Sequence, residues 1–434
     1  MRSVRGALAD TVSGLPRQFW WLWTGTLVNR AGAFVLPFLA IYLTRSLDYS
    51  TSFAGLVLGA FGLGSMAASI IAGVLADRWG RRPVLLWSQV ATALTLLALG
   101  FLTSAGVVLV LSTLFGIFSN ASRPAYSAMM ADIVPSRDRV RAFSLHYWAV
   151  NLGFAVAAVL GGLLATSGYR TLFVVDATTT LVFAVLVYLR VPESHPGLRT
   201  GGEPAEGHGA APGSMLDVLR DRVFMTFMLL TFAFAVVFMQ HLSTLPVQMV
   251  DDGLKPSQYG VVISLNAILI VLVTVPVTRF LQRSPAPAVL ALSGLFVGIG
   301  FGSTALASSM PAYAATVVLW TIGELIGSAV GPAVVADLSP ASMRGRYQGA
   351  FTFTFSVAAL VAPVGGGAVY DHLGGTALWV GCGLVSLAGA AGHLLAGPAR
   401  AHRLAELRTA EHRPTMAVPA PAPATQEEAD EAVR

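Results

Sequence analysis

The sequence predicts an all-α membrane protein with twelve transmembrane helices in two parallel six-helix repeats, both termini cytoplasmic. Three observations carry this. Of 434 residues, 55% are hydrophobic and 11% charged, where soluble domains carry about 25% charged. Apolar stretches of roughly 20 residues, the length of a bilayer span, recur along the chain. Polar and glycine positions repeat at one constant offset.

The expected spans are 18–44, 51–76, 83–104, 106–132, 139–167, 171–189, 223–249, 257–281, 286–308, 311–337, 345–370 and 375–398. Backbone polar groups in lipid must be satisfied within the segment, and these stretches are too long and too uniformly apolar for barrel strands, so they are helices. Phe19, Trp20, Trp21 and Trp23 form an aromatic anchor at the start of the first span. The residues before it are mixed polar and the span exceeds a signal-peptide core, so it is expected to be retained. A single cysteine, Cys382, allows no intramolecular disulfide and no cysteine-built metal site.

Arginines set the orientation. With a cytoplasmic N terminus, the inner loops collect Arg17, Arg78, Arg81, Arg82, Arg137, Arg139, Arg141, Arg190, Arg220, Arg222, Arg283 and Arg344, whereas the outer loops hold Arg45, Arg170 and Lys255. The basic pI near 9.6 then reflects topology, and no nucleic-acid partner is expected.

"ADIVPSRDRVR" at 131–141 recurs as "ADLSPASMRGR" at 336–346, and the same offset of 205 pairs Ser52 with Ser257, Gly55 with Gly260, Gly161 with Gly366 and Gly162 with Gly367. The halves are therefore 18–190 and 222–398. Between them, 191–221 is rich in Gly, Pro, Ala and Glu and is expected to be a flexible cytoplasmic linker. Residues 1–17 form a cytoplasmic lead, and 399–434 a cytoplasmic tail that starts with a short amphipathic stretch, "AHRLAELRTAEHR", and is otherwise disordered.

"GVLADRWGRRP" at 73–83 interrupts the apolar pattern with one acid and three arginines. It resembles the signature of the major facilitator superfamily between helices 2 and 3. "GFAVAAVLGG" at 153–162 is similar to the helix-5 glycine motif of the bacterial twelve-helix drug:proton antiporter branch. Two positions depart from that pattern. Ala158 stands where the motif has proline, although the repeat supplies Pro363 in helix 11, and Ser112 stands roughly where many members carry a helix-4 arginine.

The resemblance implies a cytoplasmic gate of Gly73, Asp77, Arg78, Gly80, Arg81, Arg82, Asp132 and Arg139. In it, Asp77 faces the N-terminal end of helix 11 and Arg78 or Arg81 reaches Asp132. It also implies helix packing through Gly153, Gly161, Gly162, Pro363, Gly366 and Gly367, and a central cavity lined by helices 1, 4, 7 and 10.

Each of those four helices carries one ionisable candidate: Arg30, Arg123, His241 and Glu324. Such groups are expensive in a bilayer and mark function by default. Glu324 is the candidate proton-binding carboxyl; the alternative is an ion pair with Arg30 or Arg123 that pins two helices. Arg30 could hold an anionic group of a substrate, and Arg123, followed by Pro124, could serve the bend and the gate. His241 is either a proton-exchanging side chain or an ordinary hydrogen-bonding residue. Asp176 is expected to cap or pair locally, with Asn29 and Gln240 adding hydrogen-bonding capacity.

The only lysine, Lys255, precedes Pro256, so no phosphate-binding loop exists. No metal spacing or nucleophile set stands out, so neither cofactor, metal nor enzymatic activity is expected. The resemblance implies secondary active transport by alternating access in a bacterial cytoplasmic membrane. The leading expectation is proton-coupled efflux of amphipathic drugs or metabolites. Exchange or proton-coupled transport of an organic anion, and a non-transporting receptor, are the alternatives. The expected partners are a small-molecule substrate, protons and the bilayer, acting on a monomer.

Overall fold

The computed structural model describes residues 14–135, 138–194, 214–281, 284–340 and 343–411. Among them every regular element is helical, and twelve helical stretches are long and apolar enough to span a membrane.

The first half holds α1 (Arg17–Ala31), α2 (Val35–Arg45), α3 (Thr51–Trp79), α4 (Arg81–Phe101), α5 (Ala105–Ile133), α6 (Arg139–Ala165) and α7 (Tyr169–Arg190). A short α8 (Met215–Arg220) leads into the second half. There follow α9 (Arg222–Phe238), α10 (Gln240–Ser243), α11 (Leu245–Asp251), α12 (Pro256–Leu281), α13 (Ala286–Ser303), α14 (Met310–Leu338), α15 (Arg344–Leu373) and α16 (Gly375–Leu395), then a terminal α17 (Gly397–Glu411).

Two expected spans are not single helices. The first breaks between α1 and α2 at Gly32–Phe34, and the seventh breaks at Met239, with a further interruption at Thr244. α2 begins at Val35 and α10 at Gln240, so both breaks fall at equivalent points of the 205-residue repeat. Side chains bridge both breaks. The Val35 amide donates to the Asp176 carboxylate at 3.1 Å. At the second break the Gln240 side chain donates to the Ala362 carbonyl at 2.9 Å and accepts from Ser243 and Thr244. Pro37 and Pro246 sit in the first turns of α2 and α11, where a missing N–H costs nothing.

The stretch expected as a flexible linker is helical at its end. Ser214 and Asp217 form a capping box on α8, and Val218 is fully buried; residues 195–213 lie outside the described set. At the C terminus α17 docks on the second half, with Arg403 bonded to Asp221 and Arg400 to the His393 carbonyl.

Glycine permits the two halves to meet along α3–α15 and α6–α12. A methyl group added at Gly55 would land on the Pro363 carbonyl oxygen, and one at Gly260 on the Ala158 carbonyl oxygen. Gly162 lies against Ser257 and Gly367 against Thr51 and Ser52 in the same repeat-related way. Backbones approach this closely only where side chains are absent. The same end of the molecule carries an Arg45–Asp251 ion pair, a Tyr370 hydroxyl on Asp251 (2.6 Å), the Ser52 amide on Asp371 (2.6 Å) and an edge-on Phe38–Tyr259 pair at 5.4 Å. We call this the closed end. At the opposite end, Arg81–Asp132 joins residues of the first half, and Asp221 with Tyr347 and Arg403 joins residues of the second.

Candidate functional site

Each half contains a cavity. That of the first half, about 160 Å³, is lined by Arg30, Arg123, Asn29, Gln89, Asp176 and Thr180 among others. That of the second, about 250 Å³, is walled by Phe227, Phe234, Phe238, Phe351 and Phe355, with Glu324 as its acidic member. The two are equivalent under the repeat. Asn29 stands where Phe234 stands, Ser119 where Glu324 stands, Arg123 where Ser328 stands, and Thr180 where Val385 stands. One ancestral pocket geometry thus holds polar and cationic chemistry on one side and aromatic chemistry with one carboxyl group on the other.

Three packing decisions build the first cavity. Gly153 brings α6 onto Arg30, since a methyl there would strike the Arg30 Cβ. Asn29 donates to Thr180 at 2.9 Å, tying α1 to α7. Asp176, 5% exposed, is held at the helix break by Val35. Arg30 is half-buried and Arg123 exposed, and among the described residues neither guanidinium has a hydrogen bond or an ion pair within 4.0 Å.

In the second cavity, Asn266 donates to Glu324 at 2.7 Å and to Thr321 at 3.1 Å. Glu324 is therefore bound to a neutral amide; the ion pair with Arg30 or Arg123 expected as the alternative is not formed among the described residues. His241 lines neither cavity. Its ring lies between Phe238 (4.5 Å) and Trp320 (5.6 Å) with Nδ1 at 2.5 Å from the Phe238 carbonyl, so the structure puts it in the aromatic core.

The remaining packing residues serve the closed end. Gly161 lies on the Phe38 and Phe34 rings, Gly366 on the Gln240 amide, and Pro363 offers its carbonyl to Gly55.

At the opposite end, the loop of the charged motif turns at Gly80, whose φ of 96° explains the glycine. Arg81 pairs with Asp132, whereas Arg78 is exposed. Arg82 donates to the Tyr188 carbonyl at 2.5 Å with its guanidinium 5.2 Å from the Tyr188 ring. Arg139 donates to the Ala131 carbonyl at 3.0 Å. The surroundings of Gly73 and of the Asp77 side chain, and hence the expected contact of Asp77 with helix 11, lie outside the described residues.

The family model of the Major Facilitator Superfamily matches residues 22–254 and 243–426. The chain belongs to the major facilitator superfamily. It is 27% identical to the MFS-type transporter YqjV of Bacillus subtilis over 92% of this chain and 97% of that protein. It is also 27% identical to a Na(+), Li(+), K(+)/H(+) antiporter of Planococcus maritimus (78% and 85%) and to the multidrug resistance protein MdtH of Cronobacter sakazakii (78% and 82%). The crystal structure of a POT family transporter in complex with 5-aminolevulinic acid superposes with a TM-score of 0.74 at 16% identity, over 90% of this chain and 98% of that one. The nucleoside transporter NupG gives 0.72 at 13%, over 89% and 99%. At such identities the agreement is one of fold. This MFS chain is accordingly a multi-pass membrane transporter and not an enzyme.

Two residues of this MFS transporter escaped the sequence reading. Glu193 accepts the Arg81 and Arg82 amides at 3.3 and 3.0 Å, placing a carboxylate on the exposed donors at the start of α4. Nothing local links "VPES" to a helix start more than a hundred residues earlier. Asn266, partner of Glu324, had a usable signal: it is an isolated amide in the apolar run "VVISLNAILI".

Proposed function

We propose that this transporter couples the efflux of amphipathic small molecules to inward proton movement by alternating access, with Glu324 as the proton-exchanging group. The observation that carries the reading is the contact of Asn266 with Glu324, which lines an aromatic cavity. A carboxyl group held by a neutral amide can gain or lose a proton without breaking an ion pair, and each exchange changes the cavity charge by one unit. The phenylalanine walls suit apolar bodies of varied shape. The multidrug and antiporter relatives support efflux and ion coupling.

In this reading the arginine-rich loops face the cytoplasm of a bacterial cell, the glycine-packed closed end faces outward, and the conformation is inward-facing. The monomer is the working unit.

The test uses proteoliposomes with an imposed pH gradient. Gradient-driven flux of a lipophilic dye should be lost in Glu324→Gln, while exchange of labelled for unlabelled dye without a gradient persists. Gradient-driven flux at the wild-type rate in the variant would overturn the assignment.

A further inference from the structure

The first-half cavity carries positive charge that the protein leaves unbalanced. Arg30 and Arg123 line it without a hydrogen bond or ion pair among the described residues. The acidic residue on its wall, Asp176, accepts from Val35 at the helix break at 3.1 Å and is an electrostatic neighbour of Arg30. Two guanidinium groups against one carboxylate give the lining a formal charge of +1. The rest of the wall supplies neutral polar groups, Gln89 and Asn120 among them, and no second acid. A guanidinium held at membrane depth without a partner is costly, and its planar fork of donors suits a carboxylate, sulfonate or phosphonate.

The equivalent cavity in the second half offers the complementary surface, five phenylalanines and a larger volume of about 250 Å³. Phe154 of the first cavity and Phe234 and Phe238 of the second pack on one aromatic core. Tyr147 of the first half, 48% exposed, is an electrostatic neighbour of Glu324 in the second.

We propose that the transported molecule is an amphipathic organic monoanion, its acidic head between Arg30 and Arg123 and its apolar body against the phenylalanines of the second half. This rests on the transport reading above and adds the charge and orientation of the substrate.

The experiment is equilibrium binding of tritiated naphthalene-acetate, naphthalene-sulfonate and the neutral naphthalene-acetamide to the purified full chain in detergent. The expected result is that the anions bind about tenfold tighter than the amide, and that Arg30→Gln and Arg123→Gln each weaken the anions by about tenfold or more, as loss of a charged hydrogen bond implies, leaving the amide within about twofold. Arg30→Lys, which keeps the charge, should recover part of the loss. Equal binding of anion and amide, equal losses for both in the Gln variants, or no anion binding up to about 1 mM would overturn the proposal. Size-exclusion profiles identify a variant that has not folded; the anion-against-amide comparison in the wild-type protein then decides alone.

The two proposals fail separately. Anion binding with no flux under a pH gradient sinks the coupled-transport reading and leaves the site. Gradient-driven flux of a cationic dye that is unaffected in both arginine variants sinks the anion site and leaves the coupling.

Discussion

Adding one methyl group at Gly55 should force the closed end apart. The new Cβ would fall on the Pro363 carbonyl oxygen, with the carbonyl carbon at 2.9 Å and the Gly367 Cα at 3.5 Å. These are backbone atoms in the middle of α15 and cannot rotate away as a side-chain tip can. Relief requires α3 and α15 to separate, which loosens the rest of the same seam, where a methyl added at Gly59 would lie 2.9 Å from the Leu360 carbonyl oxygen and one at Gly62 2.6 Å from that of Ala359. Overpacking of this kind costs about 1–3 kcal/mol, which shifts an equilibrium between two conformers by about 5–150-fold.

The assay is the distance distribution between spin labels at Ser46→Cys and Lys255→Cys, both exposed and on opposite halves of that end, in a Cys382→Ala background. Gly55→Ala should move population to longer distances, and so should Gly260→Ala, whose methyl would strike the Ala158 carbonyl. Gly349→Ala is the control: it makes the same helix-propensity gain on α15 with nothing within 4 Å. An unchanged distribution in folded Gly55→Ala and Gly260→Ala proteins would refute the claim that glycine contacts hold this end shut.

Other expectations follow from single contacts. Asp176→Ala strands the buried Val35 amide at the break in the first span and should lower stability by about 1–3 kcal/mol, with Asp176→Asn, which keeps an acceptor, recovering most of it; equal thermal midpoints for wild type and Ala variant would contradict this. The Arg81 and Asp132 side chains are 15% and 26% exposed, so a double-mutant cycle should return a coupling of about 1 kcal/mol, and zero coupling would mean that the ion pair contributes nothing to that end of the molecule. Arg403→Ala should release α17 from Asp221 and raise tryptic cleavage within 397–411 about fivefold, the effect of about 1 kcal/mol; an unchanged cleavage rate would mean that the helix is held by other contacts.

Much of the fold was legible because its signals are local or periodic. The lengths of the apolar runs gave twelve spans, the 205-residue offset gave two halves, and "GVLADRWGRRP" pointed to the family that the whole chain matches. Each of the four ionisable candidates was visible as a titratable residue in an apolar run. Hydropathy could not see the breaks at Gly32–Phe34 and Met239, because the residues there are as apolar as their neighbours; Asp176, which accepts the Val35 amide at the first break, and Ala362, which accepts the Gln240 side chain at the second, are remote in sequence.

The sequence by itself determined that these apolar segments are helices, since a chain in lipid must satisfy its own backbone. The tertiary structure decided how each helix is rotated and how deeply it sits. That rotation brings Arg30, Arg123 and Asp176 into one cavity, puts Glu324 beside Asn266 in another, and turns His241 into an aromatic core. The physical reason is that lipid tails and apolar side chains offer a helix nearly the same environment, so hydrophobicity scarcely fixes its facing. Close packing does, through glycines such as Gly55, Gly153 and Gly260 that admit a neighbouring helix at one angle only.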